Sequence, residues 1–226
     1  MTVFPSPNFG ERRGGVVPSI VVIHYTAMAS YAEACERLCA PKHEVSAHWL
    51  ISETGLAEAL VAEDKRAWHA GAGQWAGLSD INSHSIGIEL ANTGNQPFPE
   101  PQMAALETVL RGVMQRWHIP SHRVIAHSDM APQRKGDPGA RFDWRRLALQ
   151  GLSIWPAQNS AGGHEARGFR DFAQIIGYPI DVGDAVLLHA FRLRFRPWAS
   201  GPLDATDIKL VQSVAQLCVD PWRAPA

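Results

Sequence analysis

Cysteine is scarce in this chain: Cys35, Cys39 and Cys218 are the full set, an odd number with no CxxC pair and no cysteine-histidine cluster. Cys35 and Cys39 fall four residues apart, on one face of an expected helix, where they read as small buried apolar residues and not as metal ligands. Such usage fits a reducing compartment. Net charge is also close to absent, at −1, which argues against general binding to nucleic acid or to a membrane surface and leaves only local patches. No apolar run approaches the length of a membrane span, and the opening MTVFPSPNFGERRGG has no apolar core of a signal peptide. The chain as written is therefore expected in the cytoplasm, or in the periplasm if its start has been trimmed. No HExxH segment occurs, which withholds support from a metalloprotease acting on ordinary peptides.

What is present is an ordinary globular composition. The 226 residues are 46% hydrophobic and 19% charged, enough to bury a real core in one larger domain or in a main domain with a small one. Ser19 to Ile23 is a continuous β-branched run, as in a strand buried on both faces, and it ends at His24. A helix is expected from about Ala29 to Cys39, stopped by Pro41. VSAHWLIS (Val45 to Ser52) and Leu56 to Ala62 flank a Glu53-Thr54-Gly55 turn and suggest a hairpin. Ala70 to Gly77 is loop, and Ser85 to Asn92 is a further strand. Between about Pro101 and His118, apolar residues recur every three or four positions, the mark of an amphipathic helix. Arg123 to Ala126 is a short strand, and the loop VIAHSDMAPQRKGDPG follows from it. Beyond about Leu152 the composition shifts, Asn159 to Gly163 (NSAGG) is linker-like, and three helical patterns follow: about His164 to Ile176, Val182 to Phe195, and Ala205 to Cys218. The expected division is thus residues 1–155 and a small helical unit, 160–226.

The chemistry concentrates around that loop. His127 follows the apolar Val124-Ile125-Ala126, and Asp137 comes ten positions later across Pro132, Gly136 and Pro138, so the loop can fold back and aim both at one point. Lys135 is separated from Asp137 by one glycine. An imidazole and a carboxylate with an ammonium beside them suggest a hydrolytic metal site, in which zinc takes nitrogen and oxygen ligands and keeps a position open. Two ligands are too few. His24 ends a buried strand just as His127 does, and if the two strands are close in one sheet, the imidazoles emerge at the same rim. Glu89 places a carboxylate inside the apolar pattern Ile86, Ile88, Leu90, sharing its face with the small residues Gly87 and Ala91; burial there would tune it as a proton carrier. Lys135 is a candidate to stabilise an oxyanion.

The stretches SPNFGERR, VVIHYTAM, VSAHWLIS, AWHAG, SIGIELANTG and AHSDMAPQRKGDPG, in this order, resemble the zinc-dependent N-acetylmuramoyl-L-alanine amidases of the type 2 amidase family, related in fold to peptidoglycan recognition proteins. The resemblance implies an α/β fold with a central mixed β-sheet flanked by helices. It implies that His24, His127 and Asp137 hold Zn2+, that Glu89 is the catalytic acid/base, that Lys135 stabilises the transition state, and that Trp68, His69 and Ala70 line the substrate cleft. The partner it implies is peptidoglycan or a muropeptide, in cell-wall turnover or recycling. The C-terminal helices resemble a degenerate peptidoglycan-binding domain, an arrangement similar to the AmiD branch, whereas a cytoplasmic recycling role is that of the AmpD branch. A different class of function, non-catalytic recognition of glycopeptide by the same fold, would not require all three ligands together with Glu89 and Lys135.

Overall fold

The computed structural model describes residues 5–156 and 168–218. The linker-like Asn159 to Gly163 and the expected helical start at His164 lie outside the described residues. In chain order the elements begin with β1 (Phe9–Gly10) and β2 (Ile20–Tyr25), the strand the sequence marks most strongly. Ile20 to Ile23 are at most 1% exposed, as a run of β-branched residues with no polar alternation requires. Helix α1 (Tyr31–Cys39) begins later than its apolar pattern suggests, because extended Ser30 caps it by accepting the Glu33 amide. Cys35 and Cys39 are half-buried on this helix, packed against Ala34, Leu38, Leu50 and Leu60.

Strands β3 (Trp49–Ile51) and β4 (Ala57–Ala59) form the expected antiparallel hairpin. Then come β5 (Arg66–Ala67), the single turn α2 (Ile81–His84), β6 (Ser85–Leu90), the long helix α3 (Glu100–Trp117) and β7 (Val124–Ala126). Where the sequence suggested loop directly after Ala126, the chain makes a helical turn, α4 (His127–Met130), because the Asp129 carboxylate accepts the Ala126 amide at 2.8 Å. Helix α5 (Trp144–Leu149) is capped by Asp143, and α6 (Phe169–Ile176), α7 (Asp184–Phe195) and α8 (Ala205–Leu217) follow, the last capped by Asp204. No helix among the described residues is long and apolar enough to cross a membrane.

The main sheet is mixed and flanked by helices, as expected, in the order β4-β3-β6-β2-β7. Its four inner-to-edge strands β3, β6, β2 and β7 are parallel and β4 is antiparallel. β1 and β5 form a separate two-stranded sheet. Because side chains alternate along each strand, the two faces carry different cores. Val21, Ile23, Ile86, Ile88 and Val124 pack with Met103, Leu106, Leu110 and Val113 of α3. Ile20, Val22 and Ile125 pack instead with Phe172, Leu187, Phe191 and Val211 of the C-terminal helices. Burying each such side chain fully is worth about 1.5–3 kcal/mol, so both faces of β2 are held firmly. His24 continues the second face, one step beyond the cover of α6 to α8.

Candidate metal centre and active site

Parallel register decides which side chains meet. β2 and β6 pair so that His24 is opposite Glu89, and β2 and β7 pair up to Ile23 opposite Ala126, which brings His127 in just beyond. All three therefore emerge at the carboxyl ends of parallel strands, where open α/β sheets present their ligands. The loop after α4 folds back and adds Asp137, whose backbone carbonyl accepts the Ser128 amide at 3.0 Å. His24, His127 and Asp137 then form a group able to hold a metal ion. His24 Nδ1 lies 2.9 Å from His127 Nδ1, and both nitrogens lie 3.0 Å from Asp137 Oδ2.

The hydrogen bonds around this triangle say what it is suited to hold. His127 Nε2 is 2.9 Å from the Ala70 carbonyl, which can only accept, so Nε2–H donates there and Nδ1 is the nitrogen turned to the triangle. Burial, and then the neighbouring His127, hold His24 down to about 4, so its ring is neutral near pH 7. Burial opposes ionisation of Asp137, but hydrogen bonds to His127 and His24 more than offset it and leave the carboxyl below its usual range. Two imidazole nitrogens and one carboxylate oxygen, converging at about 3 Å, fit a cation of nitrogen and oxygen preference.

A further layer orients these donors. His24 Nε2 is 3.0 Å from His69 Nδ1, and His69 Nε2 is 3.2 Å from the Ser85 hydroxyl. The amides of His69 and Ala70 both donate to Asn82 Oδ1, at 3.0 and 2.8 Å. One two-residue segment thus holds both imidazoles, His24 through a side chain and His127 through a carbonyl. Gly87 makes room for it, since a Cβ there would collide with the His69 ring. Trp68 and His69 are among the residues around the cavity at the triangle. Ala70 is 1% exposed and turns its carbonyl to His127 and Arg134. Asn82 and Ser85 were not singled out from the sequence; a buried asparagine in a one-turn helix gives no periodic signal.

The cavity at the triangle has a volume of about 430 Å³, and Glu89, Lys135, Arg37 and Arg134 are among the residues around it. Glu89 is half-buried, and its Oε2 is buried with no hydrogen-bond partner among the described residues. Burial pushes its carboxyl up to about 8, the negative charge of Asp137 adds to this, and Lys135 works against it. A carboxyl titrating near neutrality beside an open cavity is able both to take and to give a proton. Lys135 is exposed at the rim, and Arg134 crosses to the carbonyls of Ala70 and Ala72.

Comparison with known proteins places this arrangement. Residues 14–140 match the family described as N-acetylmuramoyl-L-alanine amidase. The N-acetylmuramoyl-L-alanine amidase AmiD of Escherichia coli is 39% identical over 156 residues, which is 61% of this chain and 54% of AmiD, little more than half its length. The 1,6-anhydro-N-acetylmuramyl-L-alanine amidase AmpD of Haemophilus influenzae is 33% identical over 62% of this chain and 86% of its own. Among solved structures, E. coli AmiD in complex with anhydro-N-acetylmuramic acid-L-Ala-D-gamma-Glu-L-Lys shares 29% identity over 93% of this chain and 98% of that one, with a TM-score of 0.77. AmpDh3 of Pseudomonas aeruginosa gives 27% identity over 96% and 98%, with a TM-score of 0.81, so the likeness reaches into the C-terminal helices.

Proposed function

The chain belongs to the N-acetylmuramoyl-L-alanine amidase family, and from that premise we propose that it hydrolyses the amide joining N-acetylmuramic acid, or its 1,6-anhydro form, to L-alanine in muropeptides or peptidoglycan. The observation that supports this most directly is the convergence of His24, His127 and Asp137 beside Glu89, a buried carboxyl with an unpartnered oxygen. In this reading the three side chains hold zinc. Two imidazoles and a carboxylate also suit iron, but a hydrolysis needs no redox change and favours zinc. When bound, the metal supplies Lewis acidity, polarising the carbonyl and acidifying water.

The chain's own residues do the rest. Glu89 takes the proton from the water that attacks the lactyl carbonyl, and returns it to the departing alanine nitrogen, a double duty suited to a carboxyl that lines the cavity beside the donor triangle. Lys135 faces the cavity from the rim and stabilises the oxyanion. Asn82, His69 and the Ala70 carbonyl fix the tautomers and directions of His24 and His127, so the donors are set before substrate arrives. Arg37 and Arg134 put positive charge along the cleft, complementary to the carboxylates of a stem peptide. Trp68 offers an aromatic wall to the sugar or lactyl group, and the helices α6 to α8 form a peptidoglycan-binding-like unit. Three free thiols fit a reducing compartment, and we place the reaction in the cytoplasm, on soluble muropeptides.

The test is to purify the protein without chelators, measure its metal, and incubate it with anhydro-muropeptides, intact sacculi and the bare stem peptide. One zinc per chain and release of stem peptide from muropeptides is the expected result. A protein that holds no zinc and releases nothing is a recognition module, and one that cuts the bare peptide equally well is a peptidase.

A further inference from the structure

We propose that Arg194, on the C-terminal helix α7, is a positioning residue of the metal centre, so that the C-terminal helices complete the catalytic unit. The inference rests on the reading of His127 as a metal ligand. Arg194 is 2% exposed and reaches through the core to the turn that carries this histidine. Its Nη1 donates to Asp129 Oδ2 at 2.7 Å, and its Nη2 donates to the Val124 carbonyl at 2.9 Å and to the Ser153 hydroxyl at 3.2 Å. The guanidinium stacks over Trp144, 4.3 Å from the ring centroid, which fixes its plane. It therefore grips the chain three residues before His127 and two residues after it.

Asp129 is the other half of the clamp. It is fully buried; Oδ2 also accepts the Ala126 amide at 2.8 Å, and Oδ1 accepts the hydroxyl of Tyr178, beyond α6, at 2.6 Å. This carboxylate makes the turn that redirects the chain from β7 into α4, and two of its three partners come from the C-terminal helical unit. Between the clamped residues, His127 has little freedom left, and the Ser128 amide passes the constraint on to the segment bearing Asp137. If Arg194 served only to fasten α7 to the sheet, any contact on the covered face would serve. Instead its charge is placed at the end of β7, on the turn that carries the ligand His127. A buried ion pair is also intolerant of partial loss, since removing one partner leaves the other charged in a dry core. A lysine imitates it only in part, because it keeps the charge but one ammonium does not span the carboxylate and the Val124 carbonyl with the geometry of a planar fork.

The experiment uses the full chain with the substitutions Arg194→Gln, Arg194→Lys and Tyr178→Phe. Zinc affinity is measured by chelator competition, folding by circular dichroism and thermal melts, and kcat and KM with an anhydro-muropeptide at saturating zinc. Loss of a direct outer partner of a metal ligand typically weakens affinity about 10- to 100-fold; Arg194 acts one contact further out, so the lower end, about tenfold, is expected for Arg194→Gln, with kcat lowered and KM within about twofold. Arg194→Lys should recover part of the loss. Tyr178→Phe keeps the ion pair and should move both zinc affinity and kcat in the same direction by about 2- to 10-fold, the range set by removal of one net hydrogen bond. Should Arg194→Gln fail to fold, Tyr178→Phe decides the matter. A folded Arg194→Gln, or in its default a folded Tyr178→Phe, with zinc affinity and kcat both within twofold of the parent overturns the inference. A parent that binds no zinc overturns the amidase reading instead.

Discussion

Replacing Glu89 with glutamine should abolish turnover and at the same time stabilise the metal-free protein, in a pH window that the structure fixes. Glu89 Oε2 is buried without a partner among the described residues, and burial, followed by the charge of Asp137, raises the carboxyl from 4.5 to about 8. Below pH 4.5 the folded and unfolded chains both keep the proton, and the charge costs nothing. Above it the unfolded carboxyl ionises while the folded one holds its proton up to about 8, so folding loses about 1.4 kcal/mol per pH unit across that window. By pH 7 the loss is roughly 3 kcal/mol. Glutamine has the same shape and keeps a buried polar head, so the comparison isolates the charge. For a chain of this size Tm should rise by about 6–12 °C at pH 7 and by close to nothing at pH 4.5. The melts belong in chelator, because a bound cation would pull the Glu89 value back down. Turnover should fall by about 10²- to 10⁴-fold with zinc content unchanged, as for loss of a general acid/base. A Glu89→Gln enzyme within tenfold of the parent would refute the proton-carrier role. A Tm difference that does not depend on pH would refute the burial argument behind it.

Three further outcomes follow from the same geometry. His127→Ala removes one corner of the donor triangle, so zinc and activity should be lost together, measured by metal analysis beside a muropeptide assay. Lys135→Met should retain zinc and lose about 10²- to 10³-fold in kcat, the usual cost of one oxyanion donor, and an unchanged kcat would reassign this rim lysine to solvent. Gly87→Ala should weaken zinc binding although it touches no ligand, because the new Cβ would displace the His69 ring and release His24 Nε2. Overpacking of this kind costs roughly 1–3 kcal/mol, visible in the melt as well as in chelator competition.

The parts of the site that were legible in the sequence are those that the backbone itself announces. β2 and β6 are continuous or alternating apolar runs, so a histidine at the end of one and a glutamate inside the other stand out against their neighbours. His127 stands out for the same reason, and Asp137 through the turn-forming residues around it. Helix α4 gives no signal in the sequence because four residues, HSDM, carry no period; a side-chain cap from Asp129 makes it helical. The orienting residues were harder still. His69 is linked to His24 across 45 positions and Asn82 acts on a segment 12 to 13 positions away, in stretches with no regular pattern.

The arginines of α7 show where linear pattern misleads. Arg192 and Arg194 would be read on a solvent face, as charged residues in a helix usually are, yet they are 6% and 2% exposed. Each is buried because a buried carboxylate meets it, Asp207 for Arg192 and Asp129 for Arg194. The first pairing closes the helical unit on itself, 15 positions apart, and the second joins that unit to the metal-bearing turn across 65. Both pairs cost desolvation that apolar contacts would not, so neither is explained by stability alone. What the Arg194 pair adds over an apolar contact is direction, since one planar guanidinium reaches the Asp129 carboxylate, the Val124 carbonyl and the Ser153 hydroxyl at once. Direction matters little on the covered face of the sheet and a great deal two residues from His127, which makes the strand end, rather than the helix, the reason for an arginine at this position.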